Sequence, residues 1–175
     1  MTFQFVVETG DADPDANSYT SVEFADDYIS TNAFVSAQWA ALEEDEKEKY
    51  LVRASKYLDR MVKWAGTRVD EESGLRWPRS GAYDADGFEI PDDQIPQILQ
   101  EAVCELASLL AAGTDWTAPQ DGRGLTEIQV DVIDLKYDSG QAARATLPDY
   151  ILQMLSDLGT VSSGRKPAFK KIIRS

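Results

Sequence analysis

The chain contains no histidine and a single cysteine, and it carries only 17 lysines and arginines against 31 aspartates and glutamates. Each shortage removes a class of function. Without histidine there is no usual zinc ligand, no proton shuttle near neutral pH and no base for a nucleophilic triad. The lone Cys104 excludes an internal disulfide, and beside Val103 and Leu106 on an apolar helical face it reads as a buried, inert thiol. No apolar run approaches the ~20 residues that a membrane helix needs, and Met1 to Gly10 lacks the charged start and apolar centre of a signal peptide. The expectation is a chain that acts in the cytosol, or in something assembled there, and not at a membrane. The formal net charge of -14 disfavours a general nucleic-acid surface, because such surfaces draw most of their affinity from lysine and arginine on phosphates.

What remains is sufficient for a folded domain. A length of 175 residues with 43% hydrophobic and 10% aromatic side chains can bury a sizeable core. The charge is uneven. Residues 162–175 hold five bases and no acid, which leaves 12 bases against 31 acids, or -19, in residues 1–161. An acidic domain over 1–161 followed by a basic tail over 162–175 is therefore expected.

Hydrophobic spacing predicts a mainly α fold: a small helical bundle with a minor antiparallel β element and an extended C-terminal tail. Phe3, Phe5 and Val7 alternate with more polar neighbours as a weak strand, followed by the polar loop GDADPDAN at 10–17. Asp11, Asp13 and Asp15 alternate like calcium ligands, but Pro14 interrupts them and the glycine and final glutamate of an EF-hand loop are missing. No metal site is expected there. Thr20-Ser21-Val22-Glu23 has capping-box form and opens a short helix. A second helix is predicted from about Asp45 to Trp64, stopped by Gly66, with Tyr50, Leu51, Ala54, Tyr57, Leu58, Met61 and Val62 on its buried face. Glu46, Lys49, Arg53, Lys56, Arg60 and Lys63 lie on the other side and read as a solvated face with a few intrahelical ion pairs rather than a DNA-tracking stripe.

The stretch from Leu75 to Leu110 organises the rest. Trp77-Pro78 requires extended backbone at the tryptophan, DADG at 84–87 is a tight turn, and Asp92, Asp93 and Pro96 mark a helix start. Ile95, Ile98, Leu99, Ala102, Val103, Leu106, Leu109 and Leu110 then form one apolar face. Trp64, Gly66, Trp77, Pro78 and Arg79 make a structural knot at the junction of the two long helices. Arg68, Arg76 and Arg79 among Trp64, Trp77, Tyr83 and Phe88 also admit a second reading, phosphate clamps beside stacked bases. Further on, residues 127–138 alternate as a strand and a last helix runs from about Pro148 to Gly159. The tail sets Arg165, Lys166, Lys170, Lys171 and Arg174 around Pro167, Phe169, Ile172 and Ile173, a pattern suited to docking on an acidic surface.

There is no nucleophile motif, phosphate-binding glycine loop or histidine-based dyad, so neither enzyme activity nor a cofactor is expected. The segments VVETG, DANSYTSVEFADDYI, YLVRASKYLD, LRWPR and IPQILQEAVCELA, in this order and with a glycine at 66, resemble a tailed-phage family often labelled DnaT-like single-stranded DNA-binding proteins. The likeness is close over residues 6–112 and looser over 124–158. It implies a head-tail connector, or adaptor, in the virion neck: a homo-oligomeric, dodecameric ring beneath the portal protein, joined to a tail or tail-completion protein, through which packaged DNA passes without specific binding. The tail at 165–174 would be the portal-docking segment. An acidic lining suits such a ring, whereas a single-strand binder needs a basic groove. The alternative is a single-stranded DNA-binding replication accessory protein that uses Arg68, Arg76, Arg79 and the nearby aromatics.

Overall fold

The computed structural model describes residues 3–113 and 147–161, which are mainly helical. The strand expected at 127–138 and the basic tail lie outside the described residues. In chain order the elements are α1 (Val22–Ser30), α2 (Ser36–Ala40), α3 (Glu44–Met61), β1 (Val62–Trp64), β2 (Thr67–Arg68), β3 (Arg79–Ser80), α4 (Gln97–Ala111), α5 (Asp149–Met154) and β4 (Gly159–Val161). Antiparallel pairing joins β1 to β4 and β2 to β3.

Helix α4 is the central rod, and it packs most extensively on α3 and further on α1 and α5. Its burial exceeds the single face expected from spacing. Leu99, Ala102, Val103 and Leu106 are fully buried, but so are Cys104 and Ala107 on the other sides. Neighbours on several sides leave little of the rod for water, so small residues at 102, 104 and 107 admit close approach. Two carboxylates tie the helices together. Glu105 of α4 accepts from the Tyr28 hydroxyl of α1 at 3.0 Å and from the Tyr150 hydroxyl of α5 at 3.2 Å. Asp26 of α1 accepts from the Trp39 indole of α2 at 2.7 Å and from the Lys47 ammonium of α3 at 2.9 Å.

Local signals and observed elements differ at several ends. Residues 3–8 form no regular strand; Val7 makes one isolated parallel bridge to Ser18. The cap of α1 is Ser21, whose Oγ accepts from Phe24 N at 3.1 Å, rather than Thr20. Glu43 and Glu46 cap α3 reciprocally. That helix ends at Met61 because Val62–Trp64 leaves the helical path to pair with Gly159–Val161. Gly66 does not stop a helix; with φ 67° it turns the chain between β1 and β2. A Cβ there would lie 2.4 Å from Ser80 O, so only glycine fits. Asp92 and Asp93 do not cap α4, whose N-cap is Pro96. The last helix stops at Met154, since Gly159 begins β4.

The acidic loop after residue 8 is organised by an anion of its own. The buried Glu8 carboxylate accepts from the backbone N–H groups of Gly10, Ala12 and Asp13 at 2.8, 3.1 and 3.0 Å. Three backbone donors take the place of water around it. Leu106→Ala should cost about 2–5 kcal/mol, because the central rod cannot collapse onto the void. Urea denaturation measures it, and a loss below the Leu→Ala range would show that α4 does not bear the core.

Candidate functional site

The chemistry of the junction after α3 begins with one buried acid. Asp59, 8% exposed, stands near the end of α3 and faces inward. Its Oδ1 accepts from the Tyr19 hydroxyl at 2.6 Å and from the Trp64 indole at 2.9 Å, and its Oδ2 accepts from Arg76 N at 3.1 Å. The Tyr19 oxygen accepts in turn from the backbone N–H groups of Arg76 and Trp77. Burial raises the Asp59 carboxyl above its ordinary pKa, against the pull of the bonds from Tyr19, Trp64 and Arg76. Burial and the neighbouring Asp59 charge likewise push the Tyr19 hydroxyl well up.

The knot residues surround this acid. Trp77 is fully buried, Trp64 nearly so, and their rings meet edge to face at 6.1 Å. The Trp77–Pro78 peptide bond is cis. Arg79, also buried, donates from Nε to Ala65 O, from Nη1 to Arg76 O at 3.0 Å and from Nη2 to Gly66 O at 2.7 Å. An irregular stretch without ladder partners leaves such carbonyls orphaned, and one planar guanidinium satisfies three of them. Arg79 is thereby committed to the fold and has no fork left for a phosphate. The two buried indoles are equally out of reach of a base.

Outside the knot, Lys56, Arg60, Arg68 and Arg76 line one surface cavity of about 260 Å³, together with Asp59, Ser73, Gly74 and Leu75. Lys56 and Arg60 are one turn apart on α3. Arg68 on β2 donates from Nη2 to Ser73 O and Leu75 O, and its buried Nε has no partner within the described protein. Arg76 is held by its backbone on Asp59, so its exposed side chain starts from a fixed point. Gly74 closes the rim: a Cβ there would meet Ala16 O at 2.3 Å. Its N–H donates to Asp13 O at 3.0 Å.

The cavity continues a cationic face. Lys49, Arg53, Lys56 and Arg60 fall within ~60° of one another around α3 at 100° per residue. All four are exposed, and Lys49 pairs with Asp45 at 2.6 Å. Residues 49–79 hold eight bases and four acids in a chain of net charge -14. Of the aromatics named from sequence, Tyr83 is 51% exposed and Phe88 is 71% exposed, on either side of the DADG turn. That turn is closed by Asp84, which accepts from Asp86 N and Phe88 N. Sequence spacing exposed Lys56 and Arg60 as helix-face partners. It could not place Arg68 and Arg76 beside them, because the intervening backbone is irregular.

Elsewhere, burial holds the Cys104 thiol up at about 12, which leaves it protonated and unreactive near neutral pH. Among the described residues no group of three or more His, Cys, Asp or Glu side chains could hold a metal ion.

Fold and site together define a small, mainly helical protein with a cationic cavity on an otherwise acidic body. The family described as "Putative DnaT-like ssDNA binding protein" matches residues 3–175, and the chain belongs to that family. No curated protein and no solved structure matches it. The family description overturns the expectation of a structural head-tail connector in the virion neck, with its portal and tail attributes, and agrees with the alternative of single-stranded DNA binding. The expectation erred physically by averaging charge over the whole chain: -14 describes the sum, whereas a strand meets the local field.

Two outcomes check the junction. Because folding raises the Asp59 pKa, the folded state holds that proton more tightly, so the contribution is present at low pH and is lost as pH rises through the folded value. The stability of the wild type relative to Asp59→Asn should therefore fall as pH rises from about 4. Urea midpoints across pH test this, and a constant or growing difference would contradict it. Arg79→Ala should lower stability by about 1–3 kcal/mol for each carbonyl that stays buried and unpaired; an unchanged melting temperature would show the guanidinium to be dispensable.

Proposed function

We propose that this protein binds single-stranded DNA without strong sequence preference, in a binding role and not a catalytic one. The observation that carries the reading is the convergence of Lys56, Arg60, Arg68 and Arg76 on one cavity in a body, residues 1–161, that is strongly acidic as a whole. A phosphate there would meet several cationic donors at once, from the exposed Lys56, Arg60 and Arg76 and from the half-buried Arg68. Arg53 and the neighbouring face of α3 extend the path for the following phosphates. The rest of the body over residues 1–161 is acidic and repels a strand from its other surfaces. Replication is one process that exposes such strands.

Anisotropy of labelled oligothymidine at low salt tests the proposal, with micromolar, salt-sensitive binding expected. Lys56→Ala, Arg60→Ala and Arg76→Ala should each weaken binding and flatten the slope of log K against log salt by about 0.7 per lost phosphate contact. No saturable binding by the folded chain, or unchanged binding by all three cation variants, would end this reading.

A further inference from the structure

A second cavity, of about 580 Å³, lies between the segment 84–98 and the α5 end of the chain. Its walls are chemically two-sided. Ile90, Ile98 and Met154 supply apolar surface, while Asp84, Glu89 and Asp157 supply charge, and among the described residues no base lines it. The cationic cavity shares none of these residues. A groove with this lining calls for an occupant that is both apolar and basic.

The chain carries one such segment. Of the two long stretches outside the described residues, 114–146 holds three bases against six acids, whereas 162–175 holds five bases and no acid. Only the second complements the groove. Its apolar residues Phe169, Ile172 and Ile173 stand among Lys170, Lys171 and Arg174. Connectivity favours it as well. Leu158 lines the groove and Val161 ends β4, so Phe169 follows the last described residue by eight positions, a reach of up to ~28 Å. A tether of that length holds the segment at a millimolar effective concentration, which a free partner seldom reaches.

We propose that residues 165–174 of the same chain dock in this groove, with their apolar side chains on Ile90, Ile98 and Met154 and their bases on Asp84, Glu89 and Asp157. Docking would neutralise the chain's most concentrated positive charge against part of its acidic body. The assignment stands apart from the DNA reading, since its test contains no nucleic acid.

The test uses the full chain with Gln94→Cys on the groove rim and Ala168→Cys in the tail; Cys104 is buried and silent. Mild oxidation should yield a disulfide within one chain, seen as a faster monomer band on a non-reducing gel. High salt, and separately the reversal Asp84→Lys/Glu89→Lys/Asp157→Lys, should slow its formation roughly tenfold, because docking is steered by charge. The salt arm needs no folding control, and circular dichroism provides one for the reversal. Links only between chains would assign the groove to a second copy, and no link would assign it to another occupant. A link indifferent to both salt and reversal would mean random collision. Each of these three results overturns the proposal.

Discussion

The buried carboxylate of Asp59 is the constraint on which the junction depends. Water is removed from it on almost every side, so the chain must supply donors, and it does so from three separate places: Tyr19, Trp64 and the backbone of Arg76. Those bonds draw the N-terminal segment, the strand after α3 and the knot onto one turn of helix. Ser55, one turn earlier, extends the arrangement by accepting from Tyr19 N at 3.1 Å. Loss of one partner would strand the others in a dry site, which makes the network cooperative rather than a sum of independent bonds.

The cationic cavity is the outer side of this same joint. Asp59 points inward from α3 while Lys56 and Arg60, on the same turns, point outward, and Arg76 reaches the cavity from the residue whose N–H the carboxylate holds. The acid that anchors the fold thus fixes where three of the four cations begin. Arg79 in the knot and Arg68 outside it show how burial divides one residue type into separate duties. Arg79 is consumed by three carbonyls, whereas Arg68 gives Nη2 to two carbonyls and remains half-buried at the cavity wall. Nothing in the sequence around Arg68 and Arg79 distinguishes these duties; the depth of each side chain does.

Charge deserves the same local treatment. A net value governs solubility and long-range repulsion, but it decays over about 8–10 Å at ordinary salt, whereas a phosphate in a cavity interacts with groups a few ångströms away. The body can therefore be strongly acidic and still present a positive face along residues 49–79. The Glu8 carboxylate in its ring of backbone N–H groups makes the complementary point, since its charge is satisfied within the loop.

By itself the sequence determined the helical character, the three longest helices to within a few residues, the DADG turn, the buried state of Cys104 and the uneven charge. These rest on local spacing and composition, which the chain carries wherever it folds. Only the tertiary structure decided that α3 yields to a strand at Val62, because the partner Gly159–Val161 lies about a hundred residues away and no local signal announces it. It alone decided that Thr20 leaves the cap to Ser21, that α4 is enclosed on several sides, and that Arg79 spends its guanidinium on the carbonyls of Ala65, Gly66 and Arg76. The cavity was legible in part: the spacing of Lys56 and Arg60 marks one helix face, but Arg68 and Arg76 join them through irregular backbone whose path is set by Asp59, Gly66 and Gly74. Periodicity can reveal which side chains share an element. Which elements bring their side chains to one point depends on packing between residues far apart in the chain.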